Sequence, residues 1–349
     1  MKYRFDQIAT NSTAKKKPVD ADKEHYIGLE HIDSECLTIT RWGSDVAPTG
    51  EKLIMHKGDV LFGKRRAYQR KVGIAPFDGI FSAHGMVLRP QTDVIDESFF
   101  PFFISSDQFM ERAVRISVGG LSPTINWKDL KEQEFELPPL SEQRVLANKL
   151  WASYRLKESY KKLLKATDEM VKSQFIEMAG DLPKNGTLSD YCEMKAGKSI
   201  KSDSINSQYN DGLYPCYGGN GLRGYVETYS HDGVYNIIGR QGALCGNITL
   251  TKGKFYATEH AIVVRPKTPI NEYWLYFALA QMNLNQYARG VAQPGLAVKQ
   301  LEKLPFGIPS KGKQEKFAAV YQQADKSKFE LQKSIDAIDA VIKSLINNN

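Results

Sequence analysis

The sequence predicts an α+β chain: two mixed α/β domains separated by two long antiparallel coiled-coil helices, the whole a pseudo-twofold internal repeat. Three observations predict it. WKDLKEQEFELPPLSEQ (Trp127–Gln143) aligns without a gap on VKQLEKLPFGIPSKGKQ (Val298–Gln314), so that Phe135 meets Phe306, Pro138 meets Pro309 and Gln143 meets Gln314, each 171 residues apart. Further upstream VLFGKRRA matches YNIIGRQG and SAHGMVLRP matches ATEHAIVVRP, with His84 opposite His260 and Arg89 opposite Arg265 at a spacing of 176 residues. Each copy then ends in a long run of heptad apolar spacing.

At 349 residues the chain has room for two or three domains, and 42% hydrophobic residues are enough for more than one core. A net charge of +7 permits a polyanionic partner without requiring one. The N-terminal MKYRFDQIATNS has no apolar core and does not read as a signal peptide. No stretch approaches the roughly 18 apolar residues of a membrane span. Cys36, Cys192, Cys216 and Cys245 are scattered, with no pair at metal-ligand spacing, and read as reduced thiols of a cytoplasmic protein.

Residues 1–140 read as the first α/β domain. Cys36–Trp42, Val60–Lys64 and Phe81–Pro90 have strand character between Gly, Pro and Asp punctuation, and Glu97–Arg115 has helical spacing. A first helix over 141–179 follows the LPPLSEQ turn, with Ser141 in the capping position. Its seam is Leu146, Leu150, Tyr160, Leu164 and Val171, interrupted by the polar Ser153, Lys157, Thr167 and Gln174. GDLPKNG (Gly180–Gly186) is a breaker-rich linker into a second domain, 180–312. The second helix, 313–349, carries the seam Phe317, Tyr321, Leu331, Ile335, Ile338, Ile342 and Leu345, and its register returns that of the first when 171 is subtracted. Rods of this length, about 50 Å at 1.5 Å per residue, would expose their seams unless they packed on each other, and an intervening domain favours antiparallel pairing. Lys157 and Lys328 interrupt the two seams at matching positions, which calls for snorkelling or acidic neighbours.

Signatures of catalysis are missing. AGKS (Ala196–Ser199) has Cys192 where a phosphate loop needs its first glycine. His84 and His260 have no nucleophile or metal set beside them in the sequence, so a structural or base-contacting role fits better. Binding signals are stronger. GKRRAYQRK (Gly63–Lys71) gathers Lys64, Arg65, Arg66, Arg70 and Lys71 around Tyr68 and Gln69, a mixture suited to phosphates and base edges. The second copy keeps Arg240 and Gln241, and adds a Gly-rich loop with Tyr217, Asn220, Arg223 and Tyr225. SVGGLSPTIN aligns on RGVAQPGLA, placing Ser122 opposite Gln293, a possible base reader.

These features together resemble the DNA-specificity subunits of Type I restriction–modification systems. The likeness spans the whole chain: two recognition domains, each followed by a long helix. LPPLSEQ resembles the Pro-Pro-x-x-Glu-Gln turn of that family, and YGGNGLRGY resembles an early recognition-domain loop. The second turn departs from the pattern, with Lys313 in place of Glu142. The resemblance implies a non-catalytic, cytoplasmic scaffold that reads bipartite double-stranded DNA, one domain per half-site, with the helices setting the spacing. It implies two methyltransferase subunits using S-adenosylmethionine and restriction/translocase subunits using ATP and magnesium, none of these cofactors or metals being held by this chain and no membrane being involved. Two other readings stay open on the residues alone: a self-contained nucleic-acid methyltransferase or nuclease, and a coiled-coil scaffold with two domains that bind something other than DNA.

Overall fold

A computed structural model describes residues 1–180, 182–242, 244–290 and 294–347. The chain divides into two units, one formed by Met1–Lys161 with Gln332–Asn349 and the other by Lys162–Leu331, so each long helix contributes to both.

In the first unit a four-stranded antiparallel sheet has the order Ala9–Ser12, Met86–Pro90, Val60–Phe62, Val72–Ile74. Val60, Leu61 and Phe62 form a continuous buried run because both faces of the sheet are covered. Alternation sends Val60 and Phe62 into one core and Leu61 into another. The larger core is aromatic: the Phe109 ring lies 5.3 to 5.9 Å from those of Phe5, Phe62, Phe103 and Phe135. A second sheet, in the order Lys15–Lys16, Lys52–Met55, Gly79–Phe81, Tyr26–Ile27, covers the other face and is antiparallel except for its last pair.

The second unit repeats this plan. Its framework sheet runs Cys192–Ala196, Ala261–Pro266, Tyr235–Gly239, Ile248–Thr251, again antiparallel. The register is conserved as well: Leu61 faces Val87, and Ile237 faces Val263. Its second sheet runs Gly221–Val226, Tyr214–Gly218, Lys254–Ala257, His231–Asp232.

Several sequence expectations change in detail. Phe81–Pro90 is not one strand. Gly79–Phe81 belongs to the second sheet and Met86–Pro90 to the framework, joined by a turn in which the Gly85 amide donates to the Ser82 carbonyl. The same break separates Lys254–Ala257 from Ala261–Pro266, so His84 and His260 occupy sheet-to-sheet turns and not strands. Cys36–Trp42 makes only a single bridge, from Thr38 to Ile74, because the Thr38 amide donates to the Tyr154 hydroxyl. Glu97–Arg115 splits into helices Phe100–Ser105 and Asp107–Arg115, with extended Ser106 between them capping the second through the Phe109 amide.

The long helices cover Leu140–Ala179 and Lys311–Asn347. Within each unit their pairing is antiparallel. In the first unit Lys157 pairs with Asp339 and Tyr154 shares a cleft with Ile342; in the second Asp168 pairs with Lys328 and Phe175 meets Phe317 edge to face. Leu146, Leu150, Val171, Phe317 and Ile335 are buried; Tyr160, Leu164, Tyr321, Leu331, Ile338, Ile342 and Leu345 are half-buried. The seam departs from a strict heptad at two places. Tyr154 and Phe175, each one residue after an expected polar interruption, fill the core, as the drift of a straight helix relative to a seven-residue repeat requires.

The helix starts are anchored alike. The side-chain carbonyl of buried Gln143 accepts from the Asp96 amide at 2.8 Å, and its amide donates to the Val94 and Pro138 carbonyls. Gln314 accepts from the Asn271 amide at 2.9 Å and donates to the Pro309 carbonyl.

Candidate nucleic-acid interface

In both units the loop leaving the third framework strand is stitched to the segment that precedes the shared WKDL/VKQL turn. In the first unit Arg65 bridges Thr124, the Arg66 amide donates to the Pro123 carbonyl at 2.7 Å, and the Ile125 amide donates to the Lys64 carbonyl. In the second, Gln241 bridges Gly295, the Gly242 amide donates to the Pro294 carbonyl, and the Leu296 amide donates to the Arg240 carbonyl. Each bond of one set has its counterpart in the other. A loop held at both ends by such bonds presents its side chains on a fixed backbone.

The basic run of the first unit sorts into two groups. Arg65, Arg66 and Tyr68 are exposed, the tyrosine by 55%, and Gln69 is half-buried beside them. The Arg66 Nε donates to the Ser122 hydroxyl at 3.2 Å, which brings those two predicted residues together. The tip of the stitched segment carries Leu121, 96% exposed. Arg70 and Lys71, expected in the same exposed run, turn inward: Arg70 donates to the Ser105 carbonyl and pairs with Asp107, both at 2.8 Å, and the Lys71 ammonium donates to the Leu29 carbonyl. Their charges shape the loop. Lys64 is half-buried, and burial, helped by the nearby Lys15 charge, lowers its ammonium pKa.

In the second unit Asn220, Arg223 and Gln241 converge on one cleft of about 340 Å³, together with Gly218, Gly219, Gly242 and His260. The hairpin of Tyr214–Gly218 and Gly221–Val226 brings Asn220 there. Its turn lies so close to the following loop that a Cβ at Gly219 would sit 2.5 Å from the Gln241 carbonyl, so only glycine fits. The Arg223 guanidinium donates to the Ser202 hydroxyl at 2.9 Å, and the Arg240 amide donates to the His260 carbonyl. Tyr217 and Tyr225 do not join the cleft: Tyr217 packs against Phe255, and Tyr225 against Tyr209. Gln293 lies outside the described residues.

Sequence reading missed the placement of His260, whose Nε2 lies 3.3 Å from a Glu259 oxygen at the edge of the cleft. The spacing of 176 pointed to the histidine, but only the hairpin, which has no copy in the first unit, brings it to Asn220. Among the described residues no group of three His, Cys, Asp or Glu side chains has the arrangement of a metal site, and no helix is long and apolar enough to cross a membrane.

Comparison with known proteins agrees with this duplicated plan. The family profile described as "Type I restriction modification DNA specificity domain" matches residues 5–166 and again 183–338. The chain is 46% identical over 167 residues to the EcoprrI specificity subunit of Escherichia coli, a match covering 48% of this chain and 41% of that protein. It is 30% identical over 149 residues to the EcoDI specificity subunit of Escherichia coli, covering 42% and 33%. These matches span less than half the length of the curated relatives. A crystal structure of a Type I restriction–modification S subunit from M. genitalium superposes with a TM-score of 0.64 at 18% identity, covering 99% of this chain and 95% of that one, which shows a shared fold.

Proposed function

Because this chain belongs to the Type I restriction modification DNA specificity family, we propose that it serves as the DNA-specificity subunit of such a system. Each unit reads one half of a bipartite duplex sequence. Two methyltransferase subunits, carrying S-adenosylmethionine, and restriction/translocase subunits, using ATP and magnesium, assemble on it in the cytoplasm. The chain supplies recognition and no catalysis, and holds none of those cofactors itself.

The observation that carries this reading is the stitched loop, present twice at equivalent positions, which exposes Arg65 and Arg66 in one copy and lines a cleft with Gln241, beside Asn220 and Arg223, in the other. Guanidinium forks and amides on a rigid backbone suit phosphates and base edges. Arg65→Ala with Arg66→Ala should weaken duplex binding about 10-fold or more in a mobility-shift titration, and wild-type affinity should fall steeply with salt. Unchanged affinity in the double variant, or binding indifferent to salt, contradicts the assignment. Genome-wide methylation mapping supplies a second test: deleting the chain should erase one bipartite methylated motif.

A further inference from the structure

The two stitched loops differ where their backbones are least comfortable. Arg66 and Arg70 bracket a short 3₁₀ turn, Ala67–Gln69, and both lie in the left-handed region, at φ of 56° and 51°. The positions 176 residues later are Gly242 and Gly246, both at φ of 92°. The second copy thus meets this turn with the residue that adopts it freely, and the first copy does so with two arginines at a conformational cost.

The two arginines do not have the same reason to be there. Arg70 offsets its cost inside the protein, through Ser105 and Asp107. Arg66 is exposed, and among the described residues it has no carboxylate partner. Its single side-chain bond, Nε to the Ser122 hydroxyl, fixes the direction of the guanidinium and leaves both terminal nitrogens open as a fork. A contact to a phosphate needs only a cation within reach. A backbone in an uncommon conformation, together with an orienting hydroxyl, is useful where direction matters.

We propose that Arg66 is the specificity-determining residue of the first unit, reading the O6/N7 edge of a guanine in the major groove through its two terminal nitrogens, with Ser122 as its positioning partner. This rests on the chain reading duplex DNA at all.

The test is selection from a randomised duplex library by the full chain assembled with its methyltransferase subunits. Wild type should enrich guanine at one position of one half-site. Arg66→Ala and Arg66→Lys should both lose that preference about 10-fold or more, because neither presents a fork, while preference at other positions persists. The salt dependence of binding should stay unchanged in Arg66→Lys. Arg66→Gly should bind as poorly as Arg66→Ala yet melt about 2–4 °C higher, since it relieves the left-handed backbone. A lysine variant that keeps the guanine preference overturns the proposal. So does an alanine variant that weakens all sequences uniformly with a salt slope reduced by about one, the mark of a phosphate contact. A wild-type assembly that enriches no sequence sinks the DNA reading itself, whereas a selective wild type with an indifferent Arg66→Ala sinks only the role of Arg66.

Discussion

The two units share a framework and differ in what they hang on it. In both, the second sheet has the same three strands: a parallel neighbour (Tyr26–Ile27 or Tyr214–Gly218), a central strand (Gly79–Phe81 or Lys254–Ala257) and an antiparallel neighbour (Lys52–Met55 or His231–Asp232). The fourth strand lies on opposite edges. Lys15–Lys16 extends the antiparallel side in the first unit, and Gly221–Val226 extends the parallel side in the second. That hairpin is what brings Asn220 to the stitched loop and makes a cleft. The first unit, without it, exposes its stitched loop as a basic prominence. A duplicated framework therefore supports two unlike surfaces because the change is confined to a sheet edge, where a strand can be added without disturbing a ladder already paired.

The shared framework is most sharply tested at its helix anchors. Buried Gln143 satisfies three backbone groups and buried Gln314 two. Replacing either with alanine leaves those groups without partners, at about 1–3 kcal/mol for each group that water does not reach. Gln143→Ala should cost about 2–4 kcal/mol and Gln314→Ala about 1–3 kcal/mol in chemical denaturation. Costs under about 0.5 kcal/mol at both would show that these glutamines do not anchor the helix starts, and a larger cost at Gln314 would reverse the ranking that the number of bonds predicts.

A smaller effect separates the two seam lysines. Lys157, with its side chain 10% exposed, pairs with Asp339, and Lys328, 31% exposed, pairs with Asp168 at 2.7 Å. The pairs correspond, since adding 171 to 157 and 168 gives 328 and 339. The more buried ammonium loses more when its environment changes, although both aspartates stay partly in water. Lys157→Ala should cost about 2 kcal/mol and Lys328→Ala less than about 1 kcal/mol. Lys157→Met should recover part of the loss, because it restores apolar volume in the seam while Asp339, with its side chain 47% exposed, keeps its contact with water. A larger cost at Lys328 would reverse the ranking.

How much of this was legible in the sequence follows from the kind of signal each feature carries. The repeat and the long helices were, because a register held over 37 to 40 helical residues is a dense signal. Lys157 and Lys328 could be flagged as seam interruptions, but their partners Asp339 and Asp168 could not be chosen among nearby acids. Runs such as Phe81–Pro90 misled, because apolar content persists through a turn that passes the chain between two sheets. Arg70 and Lys71 read as surface charge because sequence density says nothing of direction, and Arg70 reaches an acid 37 positions away in Asp107. The cleft was legible only in pieces, since its hairpin, its loop and His260 come from three separate segments.

The smallest difference is a titration. His231 stands where the first unit has Met55, which is fully buried. Its ring stacks on Phe255 at 5.1 Å, and its Nδ1 is 2.8 Å from the Ser230 hydroxyl. Burial, then the charge of Arg265, lowers its pKa below the ordinary histidine value. The unfolded chain, with an unperturbed imidazole near pH 6.5, therefore binds the proton first as pH falls. Stability is unaffected well above that pH, declines as pH drops through it, and levels off once the folded imidazole is also protonated. His31 in the first unit is shifted the same way by burial, so one histidine acts in each copy. The melting temperature should be lower at pH 5.5 than at pH 7.5. His231→Met, which installs the residue of the other copy, should shallow that decline without abolishing it, the remainder belonging to His31. A His231→Met variant with the full wild-type pH slope would remove this residue from the differences that distinguish the two units.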